Sequence, residues 1–233
     1  MSLNHVRLKI SGEFACFSRP EAKVERMSYA LPTPSAARNI LDAICWKPEM
    51  RWIVTSIAVL KPIRYFSVRR NEVQSKISPT SAKRWMADPS AFEPLIAGAG
   101  NGTDGTPRNS LILRDVAYII EAYPHVFDSS GENMPQKYAA MLLRRVEKGQ
   151  CFQRPSLGCR EFAASFEPAD GSERPEPVTE DLGRMLYDIV FRPEGNRPIF
   201  FNARLENGWM DTRPDSVVTE RDRKEVFECS YKR

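Results

Sequence analysis

Within residues 61–84, seven basic side chains (Lys61, Arg64, Arg69, Arg70, Lys76, Lys83 and Arg84) stand against a single acid, Glu72. Tyr65 and Phe66 lie among them. Cations at this density suit a polyanion, and aromatic rings between them offer faces on which unpaired bases stack. A solvated strand face has the same composition, so the run alone does not decide. A second strip adds weight. In residues 135–148, Ala139, Leu142, Leu143 and Val146 make an apolar helix face, while Lys137, Arg144, Arg145 and Lys148 fall on a different one. Such a helix can dock and still present charge.

Other chemistries find less support. Gly100, Gly102 and Gly105 match GxGxxG, but a dinucleotide site needs a strand before and a helix after. Here Pro107 and a strand follow, and Asn101-Gly102 and Asp104-Gly105 are turn dipeptides, so a hairpin loop is the expectation. His5 and His125 are the only histidines; neither has a nucleophile context, and His125 reads as a surface residue at a strand end. Five cysteines contain no CxxC and are odd in number, so reduced, buried thiols are expected and no metal site. Cys45 falls at a helix C-terminus, whose dipole raises a thiol pKa. The acids Glu25, Asp42, Glu49, Asp115 and Glu121 show no metal-ligand spacing.

The elements that must position these residues follow from periodicity. Residues 6–18 alternate loosely as a strand, with Gly12 a possible bulge. Thr33 reads as an N-cap with Pro34 in the first helical position, and Ala37, Ile40, Leu41 and Ile44 form one face. Pro48 prevents continuation. Residues 51–60, 63–73 and 111–120 read as strands. Residues 75–107 are irregular, with a short helix around 81–87. A second long helix covers about 135–148, ending at Gly149. Short strands are expected in 150–166 and 182–210, an exposed loop from Pro168 to Pro177, and a hairpin turn at Asn207-Gly208. This order fits an α+β fold: a ferredoxin-like (RRM-like) N-terminal domain with an antiparallel sheet over 1–128, and a helix plus a smaller β-rich part over 129–233. Residues 1–127 carry 17 Lys/Arg against 11 Asp/Glu, whereas 128–233 carry 17 against 19, so the positive balance lies in the first part. No window approaches eighteen apolar residues, and MSLNHVRLKISGEF has charges where a signal peptide needs its apolar stretch. A cytoplasmic chain without membrane contact is expected.

Several strings are more specific than composition: FSRPEAKVERMSY (17–29), TPSAARNILDAICWKPEMR (33–51), LKPIRYFSVRRNE (60–72), RNSLILRDVAYIIEA (108–122), KGQCFQRPSLGCREF (148–162) and ENGWMD (206–211). In order and spacing they resemble the CRISPR-associated endoribonucleases of type I-C systems. These form the subtype-C (Dvulg) branch of the fifth Cas protein family, within the repeat-associated (RAMP) superfamily. The resemblance implies binding and metal-free cutting of the CRISPR repeat transcript, with no cofactor. It also implies retention of the crRNA 5′ handle, and assembly with the large and backbone subunits of the type I-C surveillance complex. In the implied reaction the RNA's 2′-hydroxyl attacks the adjacent phosphate and leaves a 2′,3′-cyclic phosphate. That step needs a base, a cation at the crowded phosphorane and an acid for the leaving 5′-oxygen.

The family is similar in placing a Tyr before Trp-Lys-Pro and a Lys-His pair in a Gly-Lys-His-Tyr string. Here Cys45 precedes Trp46-Lys47-Pro48, and the later string reads Pro135-Gln136-Lys137-Tyr138. The catalytic positions implied are therefore Cys45, Gln136, Lys137 and Tyr138, with Lys137 at the phosphorane and Tyr138 or His125 carrying a proton. RNA binding is expected from Lys47, Lys61, Arg64, Tyr65, Arg69, Arg70, Arg144 and Arg145, lining one cationic groove between the sheet edge and the second helix. Because three family positions are substituted, a handle-binding subunit with little ribonuclease activity is the alternative. A metal-dependent, nonspecific DNA nuclease built on Glu25, Asp42 or Asp115 is a third possibility.

Overall fold

The computed structural model describes residues 4–22, 24–73, 75–94, 105–127 and 134–228. Strand β1 (Val6–Ala15) buries Val6, Leu8 and Ile10 at alternate positions, the period-2 pattern of a strand with one covered face. Strand β2 (Arg26–Met27) is short. Helix α1 (Pro34–Ile44) begins where expected: the Thr33 hydroxyl accepts from the Ala36 N–H at 3.1 Å, and Pro34 opens the first turn. Ala37, Ile40, Leu41 and Ile44 are buried, so the predicted face is the packed one. After α1 come β3 (Met50–Val59), β4 (Tyr65–Val73), α2 (Pro79–Ala87), β5 (Gly105–Val126), α3 (Met134–Glu147) and β6 (Ser165–Pro168). The chain continues through β7 (Glu180–Val190), β8 (Arg197–Leu205), β9 (Trp209–Asp211), α4 (Pro214–Val217) and α5 (Glu220–Glu228).

The fold is mixed α and β around a sheet of order β6-β1-β5-β3-β9, antiparallel at every step. Helices α1 and α3 pack on it and on each other. Strand β5 is the spine. Its C-terminal half lies between β1 and β3, and its N-terminal half pairs with β4, from Tyr65↔Leu113 to Val73↔Gly105, and with the short β2 at Ser110 and Leu111. The changeover falls at Asp115, a non-glycine residue at φ 53°. Strands β7 and β8 make a separate two-stranded sheet that packs on α1 and α5. Among the described residues no helix is long and apolar enough to cross a membrane.

Several expectations are corrected. Gly12 is not a bulge, since the β1–β5 register runs through it unshifted. A side chain there would meet the Leu157 Cδ1 at 2.4 Å, so close approach explains the glycine. The strand expected at 111–120 extends over 105–126 because β4 supplies partners for its polar first half. Residues 150–164 hold only the isolated bridge Ser156↔Ala163, not strands. Gly100 and Gly102 lie outside the described residues, and Gly105 opens a strand, not a helix. Asn207 and Gly208 both have positive φ, 50° and 80°, as a two-residue hairpin turn requires. The boundary expected at 128/129 lies outside the described residues. The chain beyond it divides between the two sheets, giving β6 and β9 to the first and β7 and β8 to the second.

His125 is not a plain surface residue. It is half-buried, its ring meeting Phe127 and, at a centroid distance of 4.8 Å, Phe227 of α5. Nor are all thiols buried. Cys16 and Cys45 are, but Cys151 is exposed just after α3 and Cys159 is half-buried.

A buried ionic clamp joins the two sheets. The Asp188 carboxylate on β7 accepts two hydrogen bonds from Arg38 on α1, one at 3.0 Å, and a third from Arg51 on β3. All three residues are almost fully enclosed. Burial pushes the Asp188 carboxyl up, but the two guanidiniums outweigh it and hold it below the usual carboxylate range.

Candidate nucleic-acid interface and active site

Helix α1 ends on a short polar stretch that α3 faces. Cys45 leaves the helical conformation at φ −147°, its N–H bonded to the Leu41 carbonyl at 2.8 Å. Its carbonyl accepts from the Trp52 indole at 2.8 Å. The thiol is 0 % exposed and burial pushes its pKa up. Cys45 therefore packs the core and offers no group to a substrate, unlike the position implied for it. The next residues turn outward: Trp46 and Pro48 are exposed, and Lys47 and Glu49 half-buried.

Across from them stands the first turn of α3. Tyr138 is buried, and its hydroxyl donates to Glu49 Oε1 at 2.6 Å. That hydrogen bond holds the Glu49 carboxyl below the usual carboxylate range; burial opposes it, while Lys47 and Lys137 reinforce it. Burial pushes the Tyr138 phenol up to about 12, and the Glu49 bond adds to the shift. Tyr138 thus keeps its proton and fixes a carboxylate. Lys137 is exposed beside it, and the Gln136 side-chain oxygen is enclosed without a hydrogen-bond partner among the described residues. In the last turn of α3, Arg145 donates to the Ile44 carbonyl at 2.6 Å, a cation at the negative end of α1. Arg144 beside it is exposed. Gln153 N–H bonds the Ala43 carbonyl at 2.9 Å, which brings the 150–154 segment, with Phe152 at 78 % exposure, to the same helix end.

The structure thus gathers Cys45, Lys47, Gln136, Lys137, Tyr138, Arg144 and Arg145 at one place, and it adds Glu49. The sequence treated Glu49 as one of several scattered acids. Its position directly after the Trp-Lys-Pro string was the available signal.

The other expected contacts form a second cluster on β4. Side chains alternate there, so Tyr65 and Arg69 share one face and Phe66 and Arg70 the other. Tyr65 (46 % exposed), Arg64 and Arg69 are open to solvent. Phe66 stacks on Phe14 at 6.0 Å, and Arg70 is ion-paired with Glu161. Lys61 is paired with Asp115 at 2.6 Å.

The two clusters do not share one short groove. Arg69 lies opposite Asn109, while the Glu49 carbonyl accepts from the Phe127 N–H just past the far end of β5. Up to roughly 60 Å of strand separates them at about 3.3 Å per residue, and the Lys61–Asp115 pair lies between. A ligand that touches both must be an extended polyanion.

The acids considered for a metal site are apart. Glu25 accepts from Asn109 at 3.4 Å, Asp42 is enclosed beside Arg38, and Asp115 is paired with Lys61. Among the described residues no three His, Cys, Asp or Glu side chains gather.

Comparison with known proteins adds the following. Residues 5–227 match the family described as CRISPR-associated protein (Cas_Cas5), of the Cas5d type. The protein named CRISPR pre-crRNA endoribonuclease Cas5d of Mannheimia succiniciproducens is 45 % identical over 220 residues, covering 91 % of this chain and 96 % of that one. The protein of the same name from Thermus thermophilus is 38 % identical over 224 residues, covering 88 % and 90 %. Two solved structures share the fold. A functionally uncharacterized protein, SMU1763c from Streptococcus mutans, gives a TM-score of 0.61 at 20 % identity, covering 91 % of this chain and 93 % of that one. A CRISPR-associated protein gives 0.60 at 22 % identity, covering 89 % and 90 %.

Proposed function

The chain belongs to the Cas5d family of CRISPR-associated proteins, and from that premise we propose that it is an endoribonuclease that binds CRISPR repeat RNA and cuts the precursor transcript without a metal. It retains the 5′ handle and joins the large and backbone subunits of the type I-C surveillance complex. The observation that carries the chemistry is the meeting of Glu49, Lys137 and Tyr138 between the end of α1 and the first turn of α3.

The roles follow from the groups. The half-exposed Glu49 carboxylate, ionised throughout the neutral range, takes the proton of the attacking 2′-hydroxyl. Tyr138, buried and holding its own proton, is a positioning residue that aims Glu49. The exposed ammonium of Lys137 faces the phosphorane and protonates the departing 5′-oxygen. DNA lacks the 2′-hydroxyl, so this arrangement cuts RNA alone. Gln136 supplies neutral hydrogen bonding where the family resemblance implies a cation, and Lys47, Arg144 and Arg145 surround the site with positive charge.

The test is incubation of the protein with its cognate repeat RNA in EDTA, with the product ends mapped. One cut leaving a 2′,3′-cyclic phosphate supports the reading. Tight binding without cleavage instead supports a handle-binding subunit, which the enclosure of Cys45 favours.

The β4 cluster supports RNA contact away from the cut. Replacing Arg69 and Arg70 by Ala is expected to weaken repeat binding and to lower the dependence of log K on log salt by about 0.7 for each phosphate that is no longer neutralised. Arg70 is already neutralised by Glu161, so Arg69→Ala alone reproduces most of the effect in a salt titration.

The strand order β6-β1-β5-β3, with α1 between β1 and β3 and α3 between β5 and β6, supports a ferredoxin-like (RRM-like) unit. That unit needs α3 and β6, so its end lies near residue 168, beyond the boundary expected from composition. The remainder is the smaller β-rich part.

A further inference from the structure

Cys16 follows the end of β1, and Cys159 lies in the irregular stretch before β6. The backbone holds them together. The Cys16 N–H donates to the Leu157 carbonyl at 2.9 Å. A side chain at Gly158, whose φ is +85°, would come within 1.9 Å of the Cys16 carbonyl oxygen. Only glycine fits this approach, and it seats Cys159 against Cys16. The Cys159 Sγ accepts from Arg26 Nη1 at 3.2 Å. Cys16 is buried and Cys159 half-buried, yet both line a cavity of about 200 Å³ that Ser18 and Ser35 share.

We propose that Cys159 is a modification site, a thiol that hydroperoxides oxidise and that Cys16 then resolves as a disulfide. With hydrogen peroxide the Cys159 thiolate attacks one oxygen, the O–O bond breaks, and hydroxide leaves to become water. The sulfur is now a sulfenic acid. The Cys16 sulfur attacks it, the S–S bond forms, the S–O bond breaks, and the departing hydroxide takes the Cys16 proton as a second water. Two thiols are oxidised and one peroxide is reduced.

The electrostatics agree with this division of roles. The neighbouring Cys16 thiol lowers the Cys159 pKa most, and Arg26 lowers it further, against burial and the Glu161 carboxylate. Cys16 is pushed up, chiefly by Cys159 and then by burial, and stays protonated until it resolves the sulfenic acid. Arg26 also faces Glu72 of β4 at 3.5 Å. Oxidation therefore changes the charge near the outer end of the β4–β5 pairing.

The test uses the full chain, with exposed Cys151 as the internal reference. Iodoacetamide at pH 7 is expected to label Cys159 on the order of tenfold faster than Cys151, despite its lower exposure. After hydrogen peroxide, non-reducing peptide mapping shows Cys16 joined to Cys159, and dithiothreitol reverses the link. In Cys16→Ser the sulfenic acid persists and dimedone captures it. The proposal is overturned if Cys159 labels no faster than Cys151, or if peroxide leaves Cys16 and Cys159 both free to alkylate after denaturation.

Discussion

Lys137→Ala is expected to slow metal-free cleavage of repeat RNA by about 10²- to 10³-fold, the loss that follows removal of one group stabilising transition-state charge. Repeat affinity changes little, because Lys47, Arg144 and Arg145 still surround the site. Glu49→Gln is the companion. Glutamine keeps an oxygen for the Tyr138 hydroxyl and removes the base, so cleavage falls by about 10²- to 10⁴-fold while the local packing is retained. Single-turnover rates at saturating protein, read beside binding curves, separate chemistry from affinity. Cleavage by Glu49→Gln at the unsubstituted rate would remove Glu49 from the mechanism and leave the endoribonuclease assignment standing.

Asp188→Ala is expected to destabilise the fold by about 3–5 kcal/mol, the range measured when one partner of an enclosed ion pair is removed. The alanine takes from Arg38 and Arg51 the carboxylate they share, and both guanidiniums are enclosed. Chemical denaturation followed by tryptophan fluorescence reads the loss, since Trp52 adjoins Arg51 on β3. The pH dependence has a definite sign. The folded Asp188 carboxyl lies below its usual value, so its contribution is complete above the unfolded carboxylate pKa of about 3.9 and is lost as pH falls through the folded value. Asp188→Ala removes that part of the acid sensitivity.

These two predictions rest on parts of the molecule that differ in how far the sequence reveals them. Helix α1 was legible because its signals are local: Thr33 accepts the capping bond, Pro34 opens the helix, and four apolar residues fall on one face. The gathering of Lys137, Tyr138, Arg144 and Arg145 was legible as one helix with a basic strip. Glu49 was not, because its role depends on Tyr138, and no periodicity links an acid after Pro48 to a phenol on a distant helix. The clamp stayed hidden for the same reason, since Arg38 looks like a polar residue on an amphipathic helix until β7 covers it. The full length of β5 is not legible because residues 106–110 are polar and only pairing with β4 makes them a strand. Helix α5 is not legible because ERDRKEVFE buries only Val226, and without it His125 reads as exposed.

The path β6-β1-β5-β3-β9 terminates on both sides in very little strand, four residues of β6 and three of β9. Brief borders leave few unpaired N–H and C=O groups in a row, so another polypeptide finds no template there for adding itself to the sheet. The longer border is β4, nine residues that pair on one side with β5, so a neighbour that continues this sheet would find its template there.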